Sequence, residues 1–149
     1  MIRSMTDTDL PEVTDLVMKS FMASVADGLS QQGIDTFTAI ASETAFAERL
    51  EGDNAILVYT EGRRLKGVAE LKQGRHVAML FVAPDAQRQG IGRALLDGLL
   101  EHAREEVLTV SASLPSVPAY HSYGFSLAGE PDETSGLRFQ PMTLQLGRN

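Results

Sequence analysis

The densest chemical signal in this chain is the stretch Leu80-Phe81-Val82-Ala83-Pro84-Asp85-Ala86-Gln87-Arg88-Gln89-Gly90-Ile91-Gly92-Arg93-Ala94-Leu95-Leu96. An apolar run ends, a short polar loop follows, and a helical pattern opens on two glycines. The first backbone N–H groups of such a helix have no partner within it, and the helix dipole adds partial positive charge there. That makes an anion site, well suited to phosphate. Gly90 and Gly92 lack a Cβ, so an anion can come close to the main chain, and Arg88 and Arg93 add charge beside it. No Lys-Ser/Thr follows the glycines and G-x-G-x-x-G is absent, which excludes a Walker loop and a dinucleotide fingerprint. Taken alone, the same residues describe a glycine-opened helix with solvated arginines. The position between a central strand and an amphipathic helix favours the anion site.

Few other residues could do chemistry. Glu70 and His76 flank the turn into the apolar run, and either could take a proton directly or through water. Their ordinary readings are a solvated strand residue and a surface histidine. Tyr120 and Tyr123 lie three residues apart, on nearly one helix face, and partly buried tyrosines are usually structural. His76, His102 and His121 show no metal-ligand spacing and have no carboxylate pair placed with them, so no metal site is expected. Cysteine is absent, which excludes disulfides, thiolate catalysis, iron–sulfur clusters and cysteine-based zinc sites.

These residues sit in a chain of 149 with 43% apolar and 22% charged residues, the mix of an ordinary globular domain, so one domain over 1–149 is expected. The longest apolar run, residues 77–83, is far short of the roughly 20 needed to cross a bilayer in a helix. The opening residues lack a secretory apolar region, and the expected address is cytoplasmic, without a membrane partner. The net charge of −7 is placed unevenly: residues 1–53 hold ten acids against three bases, while the rest is balanced. An acidic chain without a basic stripe is a poor nucleic-acid binder. Asp7, Asp9, Glu12 and Asp15 read as helix-capping and solvating charges, whereas Asp27, Asp35 and Glu43 could draw in a cation.

Periodicity supplies the elements. A short strand is expected over 2–5, then a helix capped by Thr8 or Asp9 with Pro11 in its first turn, a polar break over 27–33, and a second helix over 37–50. Strands follow over 55–59, over 65–72 with Leu65, Gly67, Ala69 and Leu71 on one face, and over 77–82, forming an antiparallel meander. The last is apolar on both faces, as a central strand should be. A helix with the stripe Ile91, Ala94, Leu95, Leu99 and Ala103 comes next, then a strand over 107–111, a short helix over 116–123 and a final alternating segment over 137–146. Its phase changes at Pro141, which predicts a bulge and an edge position. The order defines an α+β, or mixed α/β, layered fold.

Two segments carry a family resemblance. Gln87-Arg88-Gln89-Gly90-Ile91-Gly92 after Leu80-Phe81-Val82-Ala83-Pro84 resembles the acyl-CoA signature of the GCN5-related N-acetyltransferases (GNAT). The stretch from Ser111 through Tyr120-His121-Ser122-Tyr123-Gly124-Phe125 is similar to the family's later motif, which ends in Tyr-x-x-x-Gly-Phe. The resemblance implies a GNAT-like fold, with a mostly antiparallel mixed sheet flanked by helices. It implies that the backbone amides of Arg88, Gln89, Gly90, Ile91, Gly92 and Arg93 cradle the CoA pyrophosphate with Gln87 beside them in the cofactor site, that the backbone of Phe81 and Val82 bonds the pantetheine arm, and that Ser111 adds a contact where the family often has Asn. Ala119 stands where an aromatic residue is common. Tyr120 takes the place of the tyrosine that protonates the departing thiolate, a role that suits a phenol protonated at neutral pH.

The function implied is acetyl-CoA-dependent transfer of an acetyl group to a primary amine of a small molecule or peptide, by direct attack in a ternary complex. Acetyl-CoA is the cosubstrate, no metal takes part, and the amine loses its proton to water or before binding. The competing reading is a degenerate CoA-binding sensor or interaction module of the same fold. Whether the chain works as a homodimer stays open.

Overall fold

Three strands with period-two patterning, joined by tight turns, organise the molecule. A computed structural model describes residues 1–147. In chain order the elements are β1 (Ile2–Ser4), α1 (Leu10–Ser24), α2 (Gln31–Ile40), α3 (Glu43–Leu50), β2 (Asn54–Glu61), β3 (Arg64–Lys72) and β4 (His76–Val82). They continue with α4 (Ile91–Leu100), β5 (Val107–Ser113), α5 (Val117–Ser122), β6 (Ser126–Leu127), β7 (Asp132–Thr134) and β8 (Leu137–Gln145). The strands form one sheet in the order β1-β2-β3-β4-β5-β8-β6, with β7 also on β8. Every pairing is antiparallel except β4–β5. This is the expected α+β fold. No helix among the described residues is long and apolar enough to cross a membrane.

The sheet separates two apolar cores. On one face α4 and α5 lay Leu95, Leu96, Leu99 and Tyr120 against Ala69, Leu71, Leu108 and Met142. On the other, α1 and α3 lay Val13, Leu16, Val17 and Phe46 against Ile56, Val58, Val68 and Met79. Fully burying one such side chain stabilises by roughly 1.5–3 kcal/mol, so the two layers hold the sheet from both sides.

Several local expectations need correction. The segment 37–50 is not one helix: α2 ends at Ile40, and Ser42 starts α3 by accepting a hydrogen bond from Ala45 N–H. Neither Thr8 nor Asp9 caps α1 through its side chain. Asp9 instead accepts from Thr6 N–H (2.8 Å) and forms a two-point ion pair with Arg3, which holds its carboxyl below the usual carboxylate range. Leu65 packs with the α1/α3 core while Ala69 and Leu71 pack with the other. Thr60 pairs with Leu65 but Tyr59 with Gly67, so Lys66 is an extra residue and the bulge turns Leu65 over.

Pro141 sits neither in a bulge nor at an edge. The β5–β8 register runs unbroken from Val107↔Gln145 to Ser113↔Phe139, and β8 has neighbours on both sides. Pro141 O accepts from Ala128 N–H, so by strand alternation its nitrogen also points to that side. It falls in the gap between the β7 pairs at 137–139 and the β6 pairs at 142–143, where no ladder donor is needed. The change of apolar phase is a change of face: Met142 enters the α4 core, whereas Leu137 and Phe139 line a cleft.

Candidate active site

That cleft begins where β4 and β5 part. The two parallel strands pair only at His76↔Thr109 and Val77↔Val110. Just beyond, Glu70 pairs with Met79 and Leu71 with Val77, so Ala78 is an extra residue in β4. The bulge bends β4 away from β5. The opening is a cleft of about 1090 Å³ lined by residues 77–82 of β4, 110–113 of β5, the start of α4, and parts of α1, α2, α5 and β8. The central strand is therefore apolar on both faces but not buried on both, since Ala78 is exposed on the cleft wall.

Backbone direction along β4 follows from one hydrogen bond. Ala83 N–H donates to Lys66 O at 2.8 Å, so in this antiparallel pair the main-chain groups of Phe81 also face β3. Those of Leu80 and Val82 face the cleft. Val82 O confirms the direction, accepting from Ser20 Oγ (3.1 Å) and from Gln87 Nε2 (3.3 Å). The backbone of Phe81, expected to bond the pantetheine arm, is thus turned into the sheet, and Phe81 reaches the cleft by its ring alone, which meets Phe37 edge-on with centroids 5.6 Å apart. Leu80 was not singled out from the sequence; the alternation of ladder bonds was the signal that could have found it.

The loop into α4 has the geometry its glycines suggested. Gly90 is the residue before the helix, at φ +81, and a Cβ there would meet nothing within 4 Å. It is left-handed and faces open space. Ala94 N–H makes the first helical bond, to Gly90 O, which leaves the N–H groups of Ile91, Gly92 and Arg93 without helical partners. Gly92 makes room differently: a Cβ there would overlap the Tyr123 hydroxyl, so that ring would have to shift. Arg93 lies over the Tyr123 ring at 5.9 Å and donates to Tyr123 O (3.2 Å). Gln87, Arg88, Gly90, Ile91, Gly92 and Arg93 line the cleft together with Ser111, whereas Gln89 is exposed and is not on the wall. A phosphate chain fits this cradle of open glycine, free amides and two guanidiniums.

Tyr120 is only 6% exposed, and it reaches the cleft from α5. Its ring packs edge-on against Tyr123 (6.1 Å) and Phe125 (5.3 Å). Burial, and then the neighbouring Tyr123, push its phenol above the ordinary value, so it holds its proton at any working pH. Its hydroxyl has no hydrogen-bond partner among the described residues, which leaves it free to donate. Tyr123 is half-buried, and its phenol is raised by burial and partly restored by Arg93.

The two candidate bases are elsewhere. Glu70 is 0% exposed on the α1/α3 face, bound to Arg49 Nε at 3.1 and 2.9 Å, and burial raises its carboxyl despite Arg49. It is not a solvated strand residue. His76 stands at the far end of β4, its Nδ1 2.7 Å from Thr109 Oγ1; burial, then Arg75 and Lys72, lower its imidazole. Neither lines the cleft. Asp27, Asp35 and Glu43 are exposed and also lie off its wall.

A strand pair thus parts over a glycine-opened helix, with a tyrosine at the fork. The comparisons give the family. Residues 25–146 match the acetyltransferase (GNAT) domain model, and the chain belongs to that family. A GCN5-related N-acetyltransferase from Rhodopseudomonas palustris superposes with a TM-score of 0.87 at 27% identity, over 98% of this chain and 95% of that one. The PaiA N-acetyltransferase of Thermoplasma acidophilum, solved in complex with coenzyme A, shares the fold with a TM-score of 0.79 at 19% identity, over 97% of this chain and 98% of its own. The peptidyl-lysine N-acetyltransferase YiaC of Escherichia coli is 34% identical over 71 residues, 47% of this chain. The chain spans 49% of the length of YiaC and 25% of that of the Bacillus subtilis protein YqkA, another curated relative.

Proposed function

We propose that the chain transfers an acetyl group from acetyl-CoA to a primary amine of a small molecule or peptide, by direct attack with both substrates bound. The observation that carries this reading is the juxtaposition of the open α4 N-terminus, the free main-chain edge of β4 and the Tyr120 hydroxyl in one cleft. The amides of Ile91, Gly92 and Arg93, with Arg88 and Arg93 beside them, would hold the pyrophosphate; N–H groups of Leu80 and Val82 would bond the pantetheine arm and orient the acetyl carbonyl. Ser111, opposite them on β5, adds a hydroxyl. A peptide acceptor is supported by the name of YiaC.

Acetyl-CoA supplies an acyl group activated as a thioester. The amine lone pair forms the C–N bond as the C–S bond breaks with its electron pair to sulfur. Tyr120 Oη gives its proton to that sulfur, the surplus proton on nitrogen passes to water, and water reprotonates Tyr120. Such a positioned acid contributes typically about 10²–10⁴-fold. Calorimetric titration of CoA, followed by thiol release from acetyl-CoA across a panel of amines, tests the reading. CoA binding with amine-dependent release is expected. Binding with no release under any amine would leave a sensor or interaction module, and no binding would remove both.

A further inference from the structure

The acceptor end of the cleft is walled by Val25 and Leu29 between α1 and α2, by Phe37 and Ile40 of α2, and by Leu137 and Phe139 of β8. Phe37 stacks on Phe21 with centroids 4.1 Å apart and planes at 9°, so one ring face is already covered. The end is closed by α2 against the β7–β8 turn. Thr36 Oγ1 donates to Ser135 O (2.7 Å), and a Cβ on Gly33 or Gly136 would overlap the other's main chain.

The charged and titratable side chains on the whole cleft wall are Arg88, Arg93, Arg138, Tyr120 and Tyr123. Among the described residues that line it there is no Asp, Glu, His or Lys. At the acceptor end an ammonium ion meets no carboxylate on the wall and has the Arg138 guanidinium beside it, since Arg88, Arg93 and the start of α4 go to the pyrophosphate. Burying an unpaired charge costs more than losing the proton, so an amine here sheds it.

We infer that this site selects an acceptor whose amine enters uncharged on an apolar body of aromatic size, rather than a lysine side chain or a polyamine. The inference rests on the acetyltransferase reading and narrows it, away from the peptidyl-lysine acceptor that the name of YiaC suggests. The negative charge of residues 1–53 then plays no part in holding the acceptor.

The test uses the intact chain with saturating acetyl-CoA and measures thiol release for 2-phenylethylamine, an aniline-type arylamine, a linear diamine and a lysine peptide. Phenylethylamine should exceed the diamine and the peptide in kcat/KM by about tenfold or more, the size of one well-placed apolar contact. Below the amine's own pKa of about 10, its kcat/KM should rise roughly tenfold per pH unit, while the arylamine profile stays flat. Ile40 is 37% exposed at the rim, so Ile40→Asp keeps the fold and should move the ratio toward the diamine by about tenfold.

A wild-type preference for the diamine or lysine peptide would overturn the inference. So would inhibition by a tetraalkylammonium ion competitive with the amine, or an acid limb at one pH for both amines. Failure of calorimetric CoA binding, or no thiol release with any amine, would overturn the acetyltransferase reading itself.

Discussion

The two ends of the cleft are made of different materials. The donor end is main chain: amides at the start of α4, the turned-out edge of β4, and glycines that keep side chains out of the way. Its segments are consecutive in the chain, residues 80–93. The acceptor end is side chain, gathered from α1, α2 and β8, and its closing bond joins Thr36 to Ser135 across 99 positions. Backbone geometry tolerates many neighbours but few substitutions at its glycines. A side-chain wall tolerates substitution and changes its guest. On the proposed function the first end would set the reaction and the second the substrate.

The difference can be broken at the point where the ends meet. Tyr120→Phe keeps the ring in its core and removes only the donor, so kcat should fall by about 10²–10⁴-fold with CoA affinity kept. Stopped-flow thiol release and calorimetry separate the two quantities. Tyr123→Phe showing that pattern instead would exchange their roles.

The α1/α3 layer depends on Arg49, which also donates to Ile40 O at the end of α2. Arg49→Met leaves Glu70 charged and unpaired in the core, and denaturant unfolding should show a loss of about 3–5 kcal/mol. The sign of its pH dependence follows from Glu70, whose carboxyl sits above its unfolded value. The folded variant binds the proton more readily than the unfolded chain, so the deficit should shrink as pH falls and deepen as it rises. A deficit independent of pH would mean that Glu70 is not the buried charge responsible.

At the donor end, Gly92→Val pushes a Cβ into the Tyr123 hydroxyl, beside the free amides. CoA affinity should drop at least tenfold, or about 1.4 kcal/mol, by calorimetry. Unchanged affinity in a folded variant would move the pyrophosphate away from α4. The smallest effect belongs to His76, outside both ends. Its imidazole is held below the unfolded value of 6.5, so it favours the fold while neutral, and that share is lost as pH falls below 6.5. His76→Gln should flatten that part of the stability profile and leave kcat/KM unchanged.

The same contrast governs what the sequence revealed. The meander, the loop into α4 and its glycines were legible because each is local: period-two runs, tight turns, a strand followed at once by a helix. Tyr120 was singled out through its spacing to Gly124-Phe125, with Tyr123 as its rival. What failed was what register decides. The extra residues Lys66 and Ala78 turned over Leu65 and opened the cleft, and neither carries a mark in the sequence. Glu70 reads as a strand charge, because only folding brings Arg49 from α3 onto it. The acceptor wall was invisible for the same reason: Phe37 and Phe139 each look like ordinary core.

A crystal structure of the chain with acetyl-CoA would test the central claim most directly. The account predicts pyrophosphate oxygens within about 2.7–3.2 Å of the amide nitrogens of Ile91, Gly92 and Arg93, with the thioester sulfur nearer Tyr120 Oη than Tyr123 Oη. A pyrophosphate bound away from the start of α4, or a sulfur beside Tyr123, would contradict it.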